Sequence, residues 1–355
     1  MHLIHLSICL AMSFACFSIL AEQIRPLRLG MSAPLSGPAK QLGMSYRDGA
    51  TSAFTQYNLR KPATSPAIEL IVLDDGYEPL RTVANTKQFL LHDSVFGLFG
   101  YVGTPTSNAV LPLLRKFNKP FIAPLTGSDL LRQPDDKFIV NFRSSYASEI
   151  AAQFKALVDK RGFKRIALFI QADEFGASVE QNILQQFNLR QLSPVYTARF
   201  QRNSSDIYDS MAKLQQTKPE LIITVGTYSV ISEAINWSAE QGFTATYSVL
   251  SFTGAAKLAT LLEGKHQVFA SAVLPWPLLK PQVPNDADDI YIEGFQAASL
   301  AIAAVESCGS AATDQCVRSA LTDQQSRGYF KSEQHTTQDK VYMLQLTEQG
   351  FVLIE

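Results

Sequence analysis

Short runs of β-branched and apolar residues alternate along this chain with longer stretches of helical periodicity. A strand is predicted over 27–34 and a helix over 41–58, then a strand over 68–73 (IELIVL) and a helix over 80–92. A strand over 95–99, a helix over 107–117 and strands over 120–123 and 138–142 follow. A second series opens with a helix over 148–162 and a strand over 165–170 (RIALFI). It continues with a helix over 175–189, a strand over 195–200 and a helix over 207–217. A strand over 221–225 (LIITV), a helix over 230–242 and a strand over 247–250 complete it. Uniformly apolar short strands are buried on both faces, which implies parallel sheets covered by helices. Strand–helix alternation implies right-handed crossovers. The pattern therefore predicts an α/β protein of two doubly wound parallel-sheet lobes, with a join near 141–145.

The later chain departs from that rhythm. A long helix is predicted over 286–307, and its acidic first turn suits the positive end of the helix dipole. The proline-rich stretch 275–284 before it breaks regular structure and reads as a connection. Residues 341–354 read as two strands turning at Glu348-Gln349-Gly350.

Composition narrows the function. The chain has 355 residues, 46% hydrophobic and 18% charged, so it can build a sizeable core and is not a disordered chain. Lys and Arg total 31 against 32 Asp and Glu, and no basic cluster stands out. That argues against nucleic acid as a partner, because its phosphates need clustered cations. It argues equally against electrostatic binding to a membrane surface.

Residues 6–20 carry no charge, and about 15 such residues are short for a membrane span, which needs ~20. The stretch ends at Ala21 before Glu22-Gln23 and reads as a secretory signal, residues 1–21, cleaved after Ala21. Lipid anchoring at Cys16 is the alternative. Cleavage after Ala21 removes Cys9 and Cys16 and leaves Cys308 and Cys316. An even count in an oxidising compartment favours a disulfide between them. A zinc site would need further ligands, and no His lies near.

In open α/β sheets, ligands bind beyond the carboxyl ends of the strands. Two loops of the first series have suitable chemistry. One is Gly100-Tyr101-Val102-Gly103-Thr104-Pro105-Thr106, and the other is Ala123-Pro124-Leu125-Thr126-Gly127-Ser128. Both offer hydroxyls and backbone N–H groups at a helix start, which suit a carboxylate or another strong acceptor, though Thr and Ser are also ordinary helix caps. Thr104 and Thr126 are the expected hydroxyl donors, helped by the N–H groups of Gly127 and Ser128. In the second series the matching loops carry Phe175, Thr227, Tyr228 and Phe252. Two opposed loop sets would form a cleft, with Tyr101, Phe175, Tyr228 and Phe252 as candidate aromatic lining.

Catalytic constellations are scarce. Beyond the leader, the histidines are His92, His266 and His335, none with an acid and nucleophile at a recognisable spacing. GLFGYVG lacks the glycine spacing of a dinucleotide fingerprint. Asp74-Asp75 at a strand end reads as a turn former rather than a metal site. No enzyme activity, cofactor or metal is expected.

The ordered motifs resemble a known family. RLGMSAPLSGPAKQLGMSYRDGATSAF, IELIVLDDGYEP, FGLFGYVGTPTSNAVLPLLRKFNKPFIAPLTGSD and RIALFIQADEFG follow one another as in bacterial periplasmic solute-binding proteins of the leucine/isoleucine/valine-binding type. The resemblance implies a type I periplasmic-binding fold, two lobes joined by a three-strand hinge and closing on a ligand. Crossovers are then expected near Arg143, Trp276 and Ser326. Lobe one would comprise residues 22–143 and 276–325, and lobe two residues 144–275 and 326–355. By the same resemblance Thr104 supplies the first-lobe hydroxyl, and Leu125, Thr126 and Gly127 form the loop that holds a carboxylate. Phe175 stands where Tyr is usual, and the second aromatic of lobe two falls at Thr227 or Tyr228. The acid that receives an amino acid's ammonium should fall near Phe252, yet no Asp or Glu lies between Ser248 and Leu262. The implied function is a periplasmic receptor that delivers a small ligand to the permease of an ABC importer. The alternative is a sensor that reports to a membrane receptor without transport.

Overall fold

The structure, a computed structural model, describes residues 25–279, 284–309, 312–327 and 340–354. The expected leader, with Cys16 and the cleavage site at Ala21, lies outside the described residues. So do residues 328–339, into which the expected third crossover near Ser326 leads.

Among the described residues the strands form two sheets. In the first, β1 (Leu27–Ala33) pairs in parallel with β2 (Ile68–Asp74), Leu27 opposite Ile68 and Ala33 opposite Asp74. On its other side come β3 (Gly97–Phe99), β4 (Phe121–Ile122) and β5 (Ile139–Val140), giving the parallel order β2-β1-β3-β4-β5. The crossovers are α1 (Lys40–Arg60), α2 (Pro79–Leu91) and α3 (Thr104–Phe117). After α4 (Tyr146–Gln153), the second sheet begins with β6 (Ile166–Gln171), α5 (Glu174–Leu189), β7 (Tyr196–Phe200) and α6 (Tyr208–Gln216). Next come β8 (Leu221–Val225), α7 (Tyr228–Glu240), β9 (Thr246–Val249), α8 (Ala255–Leu261) and β10 (Gln267–Ala272). Its order is β7-β6-β8-β9-β10, again parallel. Each lobe thus repeats one winding order, which reverses between its first and third strands.

The chain then passes through α9 (Trp276–Leu279) to α10 (Asp289–Cys308) and α11 (Asp314–Arg327). Helix α10 packs along α1 of the first lobe. The last hairpin, β11 (Tyr342–Thr347) and β12 (Gly350–Leu353), extends the second sheet antiparallel to β10. A disulfide joins Cys308 at the end of α10 to Cys316 in α11. Closing so short a loop contributes about 2–3 kcal/mol in the chain-entropy model.

Several elements depart from the sequence pattern. Strand β10 (QVFASA) carries two alanines and a serine, poor strand formers, yet it is buried in the interior of the second sheet. Helix α3 starts at Thr104, three residues before the predicted start, because Pro105 fits the first helical turn, where its missing N–H costs nothing. The predicted helix over 148–162 is helical only to Gln153 and then widens into a π-type stretch at Phe154–Asp159.

The α1–α10 crossing depends on two glycines. A Cβ at Gly49 would strike the Tyr291 carbonyl, and one at Gly294 would strike the Tyr46 carbonyl. Backbone cannot yield as a side chain does. Gly294→Ala should therefore cost about 1–3 kcal/mol, the usual penalty of overpacking. Urea unfolding would show it as a lower midpoint at unchanged slope; an unchanged midpoint would contradict the close crossing.

Candidate functional site

The winding order places the loops after β1, β3, β6 and β8 at the two reversal points, where open α/β sheets bind ligands. In lobe one the two predicted loops continue the sheet pairing. Val102 bridges Leu125, the Gly103 N–H donates to the Leu125 carbonyl at 3.1 Å, and the Leu125 N–H donates to the Tyr101 carbonyl at 2.8 Å. Leu125 itself is buried in the core, and its backbone ties the two loops together. This pairing sets Thr104 beside Thr126, and their hydroxyls share a hydrogen bond of 2.8 Å.

The Thr126 hydroxyl also accepts the Ser128 N–H at 3.2 Å and lies 3.4 Å from the Tyr146 hydroxyl. Thr104, Thr126 and Tyr146 are all fully buried. Three hydroxyl protons serve two mutual hydrogen bonds, so at least one O–H remains to donate. The Gly127 N–H faces the Tyr146 hydroxyl without a well-formed hydrogen bond among the described residues. A buried cluster with more donors than acceptors is costly unless an acceptor oxygen completes it. Burial, partly offset by Arg143 and the Thr126 contact, pushes the Tyr146 phenol up, so it stays protonated as a donor.

Side chains of lobe two pack against this cluster. Asp173 caps α5 by accepting the N–H groups of Phe175 and Gly176, which turns Phe175 inward. The Phe175 ring lies 5.4 Å from Tyr146 and 4.9 Å from Phe252. Phe252 in turn lies 6.2 Å from Tyr77 of lobe one. Thr227 is buried at the cap position of α7, where its side chain makes no capping bond. Next to it, the Tyr228 hydroxyl accepts the Gln41 N–H of lobe one at 3.1 Å.

The lobes are closed on each other. Ser128 bonds Ser178 at 2.8 Å, and Asn182 donates to Asp129 at 3.1 Å. Arg202 bridges Glu78 of lobe one and Asp173 of lobe two, at 3.2 and 2.9 Å. Asn203 donates to the Gly76 carbonyl and to Glu78. Deeper, the fully buried Arg143 donates to Ser251 at 2.6 Å and pairs with Glu293 of α10 at 3.0 Å. Glu149 accepts the Ser251 N–H and the hydroxyls of Ser251 and Ser271.

The carboxylates around this site are therefore engaged. Asp173 holds Arg202, Gln171 and the start of α5. Glu174 is exposed, and Glu233 receives the Tyr208 hydroxyl on the outer face of lobe two. Asp74 and Asp75 act as turn formers. Asp74 receives the N–H groups of Leu35, Ser36 and Gly76 as well as Arg81, while Asp75 receives Ser32, Thr82 and the Tyr77 N–H.

Tyr101 is not part of the cluster. Its ring packs 5.3 Å from Phe121 and its hydroxyl bonds Thr86 at 2.8 Å, in the core beneath α2 and α3. Gly100, in the left-handed region at φ 64°, breaks the strand alternation and turns Tyr101 to the same side as Leu98. Tyr77 and Tyr146 were missed. Tyr77 follows the Asp pair in a turn, at φ 64°, and its ring packs against Gly103. Its buried hydroxyl faces Gln171 without a well-formed hydrogen bond. Only the fold brings either tyrosine to the loops.

The periplasmic binding protein family matches residues 26–350, and the chain belongs to it. A possible leucine/isoleucine/valine-binding protein from Rhodopirellula baltica SH 1 is 28% identical, with a TM-score of 0.82, covering 94% of this chain and 97% of that one. A fatty acid ABC transporter substrate-binding protein from Thermomonospora curvata shares the fold at 18% identity and a TM-score of 0.79, covering 93% of this chain and 92% of that one. A leucine-, isoleucine-, valine-, threonine- and alanine-binding protein of Pseudomonas aeruginosa is 24% identical over 185 residues, 44% of this chain and 48% of that protein. The match thus spans about half the length of that curated relative. The fold is the type I periplasmic-binding fold, as the sequence motifs led us to expect. No helix of the described residues is long and apolar enough to cross a membrane.

Proposed function

We propose that this protein is an exported, periplasmic solute receptor that closes on a small carboxylate- or carbonyl-bearing ligand and delivers it to an ABC importer. The observation that carries the reading is the hydroxyl cluster of Thr104 and Thr126 from lobe one and Tyr146 from lobe two, which leaves a buried O–H to donate beside Phe175 and Phe252. The ligand's oxygen end meets lobe one. Its uncharged, apolar or aromatic end lies against Phe175, Phe252 and Tyr228. A related protein named as a fatty acid ABC transporter substrate-binding protein, and another named as a branched chain amino acid ABC transporter with bound valine, support delivery to a permease. Lobe boundaries near Arg143 and Trp276 agree with this reading, since the chain passes near Arg143 from the first sheet to the second, and after Trp276 from the second sheet to helix α10, which packs on α1. The role is binding rather than catalysis.

A thermal-shift screen of organic acids, amino acids and amides tests it. A ligand at 100 times its dissociation constant stabilises by about 2.7 kcal/mol. Stabilisation by carboxylates or amides is expected. A screen in which neither shifts the transition would count against the reading.

A further inference from the structure

On the flank of lobe one, beside the first crossover, lies a polar cavity of about 370 Å³ formed by the stretch between Asp129 and Ser145. Arg132 lines it. Of the five N–H donors of its guanidinium, one is used, in a 2.7 Å bond to the Arg143 carbonyl. The Arg132 Nε is shielded from solvent and has no hydrogen-bond partner, and among the described residues no carboxylate forms an ion pair with Arg132. Arg132 as a whole is half-buried, and a guanidinium partly withdrawn from water gains from a paired anion, because even partial desolvation of a lone charge costs free energy. Burial, only partly offset by Asp129, pushes the Arg132 pKa down to about 10, as expected of a guanidinium lacking its counter-charge.

The other charges of the cavity are compatible with an anion. Lys137 is exposed at its edge and adds a second cation. Asp136 is neutralised by a two-point bond from Arg115, at 2.9 and 2.7 Å. Asp129 receives the Asn182 amide and also caps, through its carbonyl, the Gln133 side chain.

We propose that this cavity is a second ligand site, for a small oxyanion such as phosphate or a carboxylate, held by Arg132 with help from Lys137. It is separate from the cluster at Thr104 and Thr126. Because Arg132 also holds the Arg143 carbonyl, an anion bound there ties the cavity to the first crossover.

Thermal shift and calorimetry with sodium phosphate and with sodium acetate, each against sodium chloride at equal ionic strength, test the site. A saturable stabilisation by at least one oxyanion is expected, with phosphate and acetate telling the two chemistries apart. Arg132→Gln should weaken it at least about tenfold, the scale of a lost charge-assisted hydrogen bond. Thr126→Val should leave it unchanged. If Arg132→Gln does not fold, Lys137→Gln at the exposed edge should still weaken the binding severalfold. No saturable effect, or one that survives Arg132→Gln and Lys137→Gln, would overturn the proposal. An effect lost in Thr126→Val but kept in Arg132→Gln would also overturn it, and would place the anion between the lobes instead.

Discussion

Thr126→Val should weaken ligand binding by about tenfold or more, because a hydrogen bond to a charged group is worth roughly 1.5–3 kcal/mol. Thr126 sits at the centre of the hydroxyl cluster, touching Thr104, Tyr146 of lobe two and the Ser128 N–H. Valine keeps the shape and removes the hydroxyl, so the Ser128 N–H and the Thr104 hydroxyl lose their shared partner. A purely structural role for Thr126 predicts something different, a modest loss of stability with binding intact. Calorimetry on the ligand found by screening, paired with urea unfolding of the same variant, separates the two. Wild-type affinity in Thr126→Val would remove Thr126 from the site.

Arg143→Met should destabilise the protein by about 3–5 kcal/mol, the cost of stranding one member of a buried ion pair. Arg143 is fully buried, and its pairing with Glu293 is supplemented by Ser251. Burial alone would lower the Arg143 pKa, but Glu293, Tyr146 and Glu149 together hold it above its ordinary value. Glu293 is pushed up to about 7 by its own burial, against the pull of Arg143. Its folded pKa thus exceeds the unfolded one, so its contribution to stability is complete at low pH and is lost as pH rises towards 7. Asp289, raised to about 7, and Asp75, raised to about 6, both mainly by burial, act with the same sign. Wild-type stability should therefore fall between pH 5 and pH 8. In Arg143→Met the deficit should be larger at pH 8, where Glu293 is ionised without a partner, than at pH 5, where it can be protonated. Urea unfolding at the two pH values measures both effects. Adding Glu293→Leu to Arg143→Met should restore much of the loss, since an apolar pair of similar volume replaces a buried ion pair at little cost. A pH-independent deficit would contradict the pairing.

Much of the fold was legible because its strands are uniformly apolar and its helices periodic. IELIVL, RIALFI and LIITV became β2, β6 and β8 almost residue for residue. Strand β10 was not legible, because QVFASA carries small residues that gain strand structure only from their neighbours β9 and β11. The site was legible where chemistry is local. Thr104, Thr126, Gly127 and Ser128 lie in two loops recognisable by their hydroxyls and glycines, and the structure sets Thr104 against Thr126. It was not legible where the fold brings distant residues together. Tyr146 lies beyond the first crossover, and Arg202 reaches Glu78 from the loop after β7. Tyr101 illustrates the converse error. It sits in a loop of suitable composition, but one left-handed residue, Gly100, turns its ring into the core.

The ligand end of the account rests on charge. A zwitterionic amino acid needs a carboxylate for its ammonium, because burying that cation unpaired costs several kcal/mol. Asp173 is committed to Arg202, Glu149 to Ser251 and Ser271, and the turn at Ser251–Thr253 carries no acid. The most direct measurement is a calorimetric titration of the protein with leucine, isoleucine and valine, set against benzoate. We predict that the aromatic acid binds and the branched-chain amino acids do not. Micromolar binding of leucine, isoleucine or valine would contradict this reading.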